Sequence, residues 1–180
     1  MELSARLNAD EALGGRVLKV NHAGENGAVN IYAGQIICAR VTARTLVPQL
    51  VEFKAHEERH RSIFQIELQR RGLPRCRSYY LCAIGGFLLG VVSGLFGRSA
   101  IAATTVAVES VVLGHLSQQM QVLRGKDEAA VAAISAIVED EQHHHDQSVS
   151  HLQAGRFWPK VLTPVVVVST ETVIWLGMHL

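Results

Sequence analysis

Val138-Glu139-Asp140-Glu141-Gln142-His143-His144-His145-Asp146 places a glutamate and a histidine, Glu141 and His144, three positions apart within an alanine-rich stretch that reads as helix. Residues three apart on a helix share a face, so this carboxylate and this imidazole project together. His143 and His145 fall off that face and are expected in solvent. The same Glu-x-x-His recurs as Glu57-Glu58-Arg59-His60, again inside a long helical stretch. Around it, Glu52, Glu58 and Arg59 read as solvated charges.

Each pair has a glutamate 32 residues upstream. Glu25 lies in Asn21-His22-Ala23-Gly24-Glu25-Asn26-Gly27, and Glu109 lies in the apolar run Val106-Ala107-Val108-Glu109-Ser110-Val111-Val112. The two sets are offset by 84 residues. The chain therefore reads as two copies of a helix bearing one glutamate followed by a helix bearing Glu-x-x-His. Brought into one bundle, these side chains form the donor set of ferritin-like di-metal carboxylate proteins. Four carboxylates balance two divalent ions, and mixed carboxylate and imidazole donors suit iron or manganese. Unpaired, a charged Glu109 in its apolar surroundings would cost roughly several kcal/mol. His22, His56, His115 and Asp140 stand either as partners that orient ligands or as ordinary polar residues.

The expected fold is all-α: a ferritin-like four-helix bundle with an internal two-fold repeat, plus additional apolar helices at a membrane interface, in one domain over 1–180. The repeat halves are about 16–72 and 99–153. Gly14-Gly15 precedes a helix over about 16–43. Pro48 opens the next, which stops at Gly72-Leu73-Pro74. A later helix runs from about Ser99 to Arg124 and ends at Gly125. Asp127 then caps one that reaches about Gln153 and stops at Gly155. Strand signals are weak; the β-branched run Val165–Val168 has no partner run.

The apolar segments are 78–97, uncharged and rich in glycine, and 161–180, interrupted by Pro164 and Glu171. Twenty uncharged residues would span a bilayer as a helix. A single crossing, however, would leave Glu25, Glu57 and His60 on one side and Glu109, Glu141 and His144 on the other. Segment 78–97 is therefore expected to lie in one leaflet, broken around Gly85-Gly86 and Gly90, with Arg75, Arg77 and Arg98 meeting anionic headgroups.

Composition narrows the rest. With 180 residues, 48% hydrophobic and 18% charged, the chain can fill a core and is unlike a disordered one. A net charge of +1 and 6% aromatic residues exclude a field that gathers nucleic acid and a base-stacking surface. Cys38, Cys76 and Cys82 form no CxxC and read as reduced thiols in a reducing compartment. Residues 1–15 carry Glu2, Asp10 and Glu11, so neither a secretory signal nor a transit peptide is expected. No Gly-x-Gly-x-x-Gly announces a built-in nicotinamide domain.

Asn21–Ala28 with Ile31-Tyr32-Ala33-Gly34-Gln35, Val106–Glu109 with His115 and Gln119, and Asp140-Glu141 with His144-His145-Asp146 closely resemble the motifs of the demethoxyubiquinone hydroxylases, colinear from about Val17 to Ser148. The resemblance implies that Glu25, Glu57, His60, Glu109, Glu141 and His144 ligate two iron ions, with Glu57 and Glu141 bridging. It implies a di-iron monooxygenase of ubiquinone (coenzyme Q) biosynthesis that hydroxylates the ring of demethoxyubiquinol with O2, taking electrons from NADH or the quinol. The implied partners are the polyprenyl quinol, a membrane lipid surface, and a homo-oligomer or ubiquinone-biosynthesis complex, with no nucleic acid. The implied place is the cytoplasmic side of a bacterial inner membrane, peripherally bound. Two positions depart from the family pattern: Asn26 where tyrosine is usual, and Ser110 where a second acid often follows the glutamate. Tyr32 becomes the nearest candidate for a redox tyrosine. The alternatives are a ferritin-like ferroxidase, which would need a hydrophilic exterior that 78–97 contradicts, a peroxidase, and a non-enzymatic membrane scaffold.

Overall fold

The structure, a computed structural model, describes residues 2–152 and 157–179 and the side chains from residue 12 onward. Six helices hold nearly all of these residues, and no strand occurs among them: α1 (Glu2–Thr42), α2 (Val47–Arg70), α3 (Tyr79–Leu95), α4 (Arg98–Leu123), α5 (Glu128–Ser150) and α6 (Phe157–His179). A short 3-10 turn, Arg44–Leu46, links α1 to α2. The expected stop near Gln153 and Gly155 lies outside the described residues.

The punctuation residues act largely as expected. Pro48 sits in the first turn of α2, where its missing N–H costs nothing. Gly72 takes φ +63 just past the end of α2, and Gly125 takes φ +77 just past α4. Asp127 caps α5 by accepting from the Ala130 N–H at 3.1 Å. The same carboxylate binds Arg71 through both oxygens, at 2.6 and 2.7 Å, and so ties the end of α2 to the start of α5.

Gly14-Gly15 does not start α1, which is continuous from Glu2 through both glycines. Both are buried because other elements press on them. A Cβ on Gly14 would fall 1.9 Å from the Asp127 carboxylate, and one on Gly15 would fall 2.7 Å from Leu73. The expected break in segment 78–97 is also absent: α3 is unbroken from Tyr79 to Leu95. Its glycines bring it against α1. A Cβ on Gly86 would lie 2.3 Å from the Gly27 carbonyl oxygen, one on Gly90 2.0 Å from that of Ile31, and one on Gly94 2.8 Å from Cys38. Small residues four apart let two backbones approach this closely, as in membrane helix pairs. Likewise Pro164 is accommodated within α6, and Val165–Val168 is helical.

α1 packs beside α2 and α3, α4 beside α5 and α6, and α2 meets α5. Two apolar layers close the bundle. One gathers Leu18, Phe64, Leu68, Leu123, Ile134 and Ile137; the other gathers Tyr32, Leu46, Leu50, Phe53 and Ile101. Each large aliphatic or aromatic side chain withdrawn from water contributes roughly 1.5–3 kcal/mol. In α1, α2 and α4 the acidic or histidine positions fall between these layers in sequence, and in α5 Glu141 and His144 follow Ile137 of the first layer. The fold thus holds a polar stratum inside an apolar bundle.

Candidate metal centre

α1 brings Glu25 to this stratum, α2 brings Glu57 and His60, α4 brings Glu109, and α5 brings Glu141 and His144; all six are buried. Donor atoms of Glu25, Glu57, His60 and Glu141 lie within 4.8 Å of one another, as do those of Glu57, Glu109, Glu141 and His144. Glu57 and Glu141 belong to both groups. The two Glu-x-x-His segments meet because α2 faces α5, and the upstream glutamates close the site from α1 and α4.

Several of these atoms lack the hydrogen bond that burial ordinarily requires. Glu57 Oε1, Glu141 Oε1, His60 Nδ1 and His144 Nδ1 are all buried and unbonded. His60 Nδ1 lies 2.9 Å from Glu141, and His144 Nδ1 lies 3.1 Å from Glu57. Lone-pair donors of hard and borderline type thus crowd one space, which fits a pair of divalent cations.

The electrostatics describe the same mismatch. Burial, together with the charges of Glu141 and Glu57, pushes the Glu109 carboxyl well above the usual carboxylate range. Burial likewise raises Glu25, against the pull of His60. Burial alone would lower His144, but the Glu141 and Glu57 carboxylates outweigh it and raise the imidazole to about 9. Divalent ions at these donors would supply the positive charge that the crowded carboxylates lack.

On one side the cluster opens into a cavity of about 330 Å³ between α1, α3, α4 and α6. Glu25, Glu57, Glu109 and Glu141 reach its wall; His60 and His144 do not. Most of the remaining wall is aliphatic, from residues such as Val20, Ile31, Leu89, Val108, Val112 and Ile174. Asn21 and Gln119 also reach it, exchanging side-chain hydrogen bonds at 2.8 and 3.1 Å. His115 reaches it as well, bonded through Nε2 to Glu171 at 2.9 Å.

A family model described as "Ubiquinone biosynthesis protein COQ7" matches residues 12–177. The chain belongs to this family. The mitochondrial NADPH-dependent 3-demethoxyubiquinone 3-hydroxylase of Dictyostelium discoideum is 33% identical over 166 residues, 90% of this chain and 75% of that protein. The 3-demethoxyubiquinol 3-hydroxylase of Rhodospirillum rubrum is 32% identical over 191 residues, 98% of this chain and 87% of that protein. The 3-demethoxyubiquinol 3-hydroxylase of Legionella pneumophila (strain Lens) is 30% identical over 128 residues, 71% of this chain and 59% of that protein.

The structure also sorts the residues that the sequence left open in this COQ7 family member. Asp140 meets the outer nitrogen of His60 at 2.8 Å, and His56 meets that of His144 at 3.1 Å. Arg59, expected as a free surface charge, pairs with Asp140. His143 is exposed and bonds Gln147, while His145 bonds Asp146 at the surface. His22 is fully buried with neither ring nitrogen bonded, stacked on Tyr79 with centroids 4.8 Å apart. Burial, with Arg75 and Arg61 adding, lowers it to about 4, so it is a neutral packing group. Tyr32 proves to be a direct neighbour of the cluster, donating to Glu109 Oε1 at 3.1 Å. Its position seven residues after Glu25, two helical turns along the same face, was the available signal.

Proposed function

We propose that this protein is a monooxygenase of ubiquinone biosynthesis. It hydroxylates the ring of a demethoxyubiquinol with O2, using two iron ions held by Glu25, Glu57, His60, Glu109, Glu141 and His144. The observation that carries this reading is the meeting of the carboxylate cluster with an apolar cavity. A storage or ferroxidase site needs a path for hydrated ions, whereas an oily pocket beside the donors suits a lipid-like substrate. The names of the curated relatives supply the substrate class.

Bound iron supplies the redox chemistry that activates O2. The chain's own residues do the rest. Glu57 and Glu141, which belong to both donor groups, would serve both ions, and His60 and His144 would complete the two positions from the side away from the cavity. The aliphatic wall excludes water from the reacting ring. Tyr32 holds Glu109 by its hydroxyl. Electrons come from outside the chain, from a reduced nicotinamide or the quinol itself. Complementation of a hydroxylase-deficient bacterium tests the reading, with the quinone pool read by mass spectrometry. Restored ubiquinone is expected; accumulation of the demethoxy quinone beside abundant soluble protein would favour the ferroxidase or peroxidase reading.

Loading with ferrous iron under anaerobic conditions should raise the melting temperature, because ions that bind only the folded chain stabilise it. At a hundredfold excess over Kd the gain is about 2.7 kcal/mol. For a chain of this size that corresponds to roughly 5–10 °C. Equal melting temperatures of apo and loaded protein at pH 7 would count against the buried centre.

The lipid route follows from α3 and α6, which flank the cavity. The outer face of α3 leaves Tyr80, Leu81, Ile84, Leu88 and Leu95 exposed, with Phe96 exposed just past its end, and α6 exposes Val161, Val165, Val168 and Trp175. Patches of this kind mark interaction surfaces. With 17 residues, α3 is about 25 Å long, short of the roughly 30 Å hydrocarbon core. α6 has 23 residues and is long and apolar enough to cross, yet it lies along α4 and α1. We infer a peripheral protein on the cytoplasmic face of a bacterial inner membrane, with α3 and α6 seated in one leaflet and Arg75, Arg77 and Arg98 at the headgroups. Single cysteines replacing Arg75 and Arg98, in a chain without Cys38, Cys76 and Cys82, should both label from the cytoplasmic side of vesicles. Labelling from opposite sides would overturn this placement.

A further inference from the structure

The two groups of donors are near mirror images: each has three carboxylates and one histidine, and they share Glu57 and Glu141. Their surroundings are not alike. Both cluster histidines turn Nδ1 inward and Nε2 outward. Behind His60, Nε2 meets the Asp140 carboxylate at 2.8 Å. Behind His144, Nε2 meets the imidazole nitrogen Nδ1 of His56 at 3.1 Å. Those two rings are within 15° of coplanar with centroids 5.3 Å apart, which places them end to end in one N–H···N hydrogen bond. If His144 gives its Nδ1 lone pair to a metal, its Nε2 carries the hydrogen, and His56 accepts it as a neutral ring.

A hydrogen bond to a carboxylate is roughly twice as strong as one between neutral groups. It draws the imidazole toward imidazolate character and strengthens its inward lone pair. His60 has this support and His144 does not. The unshared carboxylates tilt the balance further. Glu109 already spends one lone pair on the Tyr32 hydroxyl at 3.1 Å, whereas Glu25 faces His60 and Glu57.

We propose that the two metal positions fill in order. The ion at Glu25, Glu57, His60 and Glu141 binds first and more tightly, and the ion at Glu57, Glu109, Glu141 and His144 binds second, with His56 as the positioning residue of that weaker position. This rests on the two-metal reading of the site. It implies that a half-loaded protein accumulates when iron is scarce, and that the position beside Tyr32 is the one left empty.

Anaerobic titration of the full-length protein with ferrous iron, followed by calorimetry and by iron retained against a chelator, tests the order. Loss of an outer partner of a metal-bound histidine typically costs about 10–100-fold in affinity. His56→Leu should weaken the second binding step by about tenfold or more and leave the first unchanged. His56→Gln, which keeps an acceptor, should restore it. Asp140→Leu should weaken the first step, so that the two steps converge. The order is overturned if His56→Leu moves both steps equally or neither, or if Asp140→Leu spares the tighter one. A folded wild-type chain that binds no iron would instead overturn the two-metal reading itself.

Discussion

Glu141→Ala is expected to abolish ring hydroxylation and iron retention while the helical fold persists. Glu141 contributes to both donor groups, so its removal would take one ligand from each of the two proposed ion positions. The expected fall in turnover exceeds about a thousandfold, beyond the 10–100-fold that follows loss of an outer partner. Glu109→Ala should do the same through one position. The fold survives because these carboxylates crowd one another: burial and the neighbouring charges already hold Glu109 far from its ordinary protonation. Functional groups of this kind are held against stability rather than in its service. His143→Ala is the control. Its side chain is exposed, hydrogen-bonds the neighbouring Gln147 and meets Phe53 edge-on with centroids 6.4 Å apart, outside both donor groups, so activity and iron content should be unchanged. His144→Ala, one residue on, should lose iron. Product analysis by mass spectrometry, iron content and circular dichroism read the series. Loss of iron in His143→Ala with retention in His144→Ala would shift the register of the second motif by one residue.

That register was legible in the sequence because it is a local property. Three-residue spacing sets which side chains share a helix face, and 32 residues between the paired positions set two like hairpins. The partners one layer out were not legible. His56 precedes Glu57 on α2, and nothing in its own helix says that it meets His144 on α5, 88 positions away. The Asp140–His60 and Tyr32–Glu109 contacts likewise depend on how far one helix slides past another. A single sequence carries no such interhelical register.

Glycine was misread for a different reason. It offers two things at once, a permissive backbone and the absence of Cβ, and a sequence does not say which is in use. At Gly72 and Gly125 the backbone freedom is used, as the positive φ angles record. At Gly14, Gly15, Gly86 and Gly90 the missing Cβ is used, and the helices run on. The spacing of Gly86, Gly90 and Gly94 was the clue, since residues four apart form one stripe on a helix.

The consequence is a large and asymmetric effect of adding one methyl group to α3. Gly90→Ala would set a Cβ 2.0 Å from the Ile31 carbonyl oxygen and 2.8 Å from its carbon, both backbone atoms that no rotamer change can move. Relief requires α1 and α3 to part by roughly 1 Å or more. A gap of 0.5–1 Å already forfeits a quarter to a half of each dispersion contact along the seam. α3 makes its main packing against α1, so the loss spreads over the whole helix. We expect a destabilisation of more than about 4 kcal/mol, in the range reserved for core overpacking and backbone clashes. Gly85→Ala is the matched control on the same helix. Its Cβ would meet nothing within 4 Å, so only helix propensity acts, and a gain of up to about 1 kcal/mol is expected. Urea unfolding in mild detergent measures both, and values within 1 kcal/mol of each other would refute the close-approach account. Function should divide in the same way. α3 supplies Leu81, Cys82, Gly85, Gly86 and Leu89 to the cavity but no metal donor. Its displacement in Gly90→Ala should therefore raise KM for a long-tailed quinol while the iron content of the surviving folded protein stays at the wild-type level.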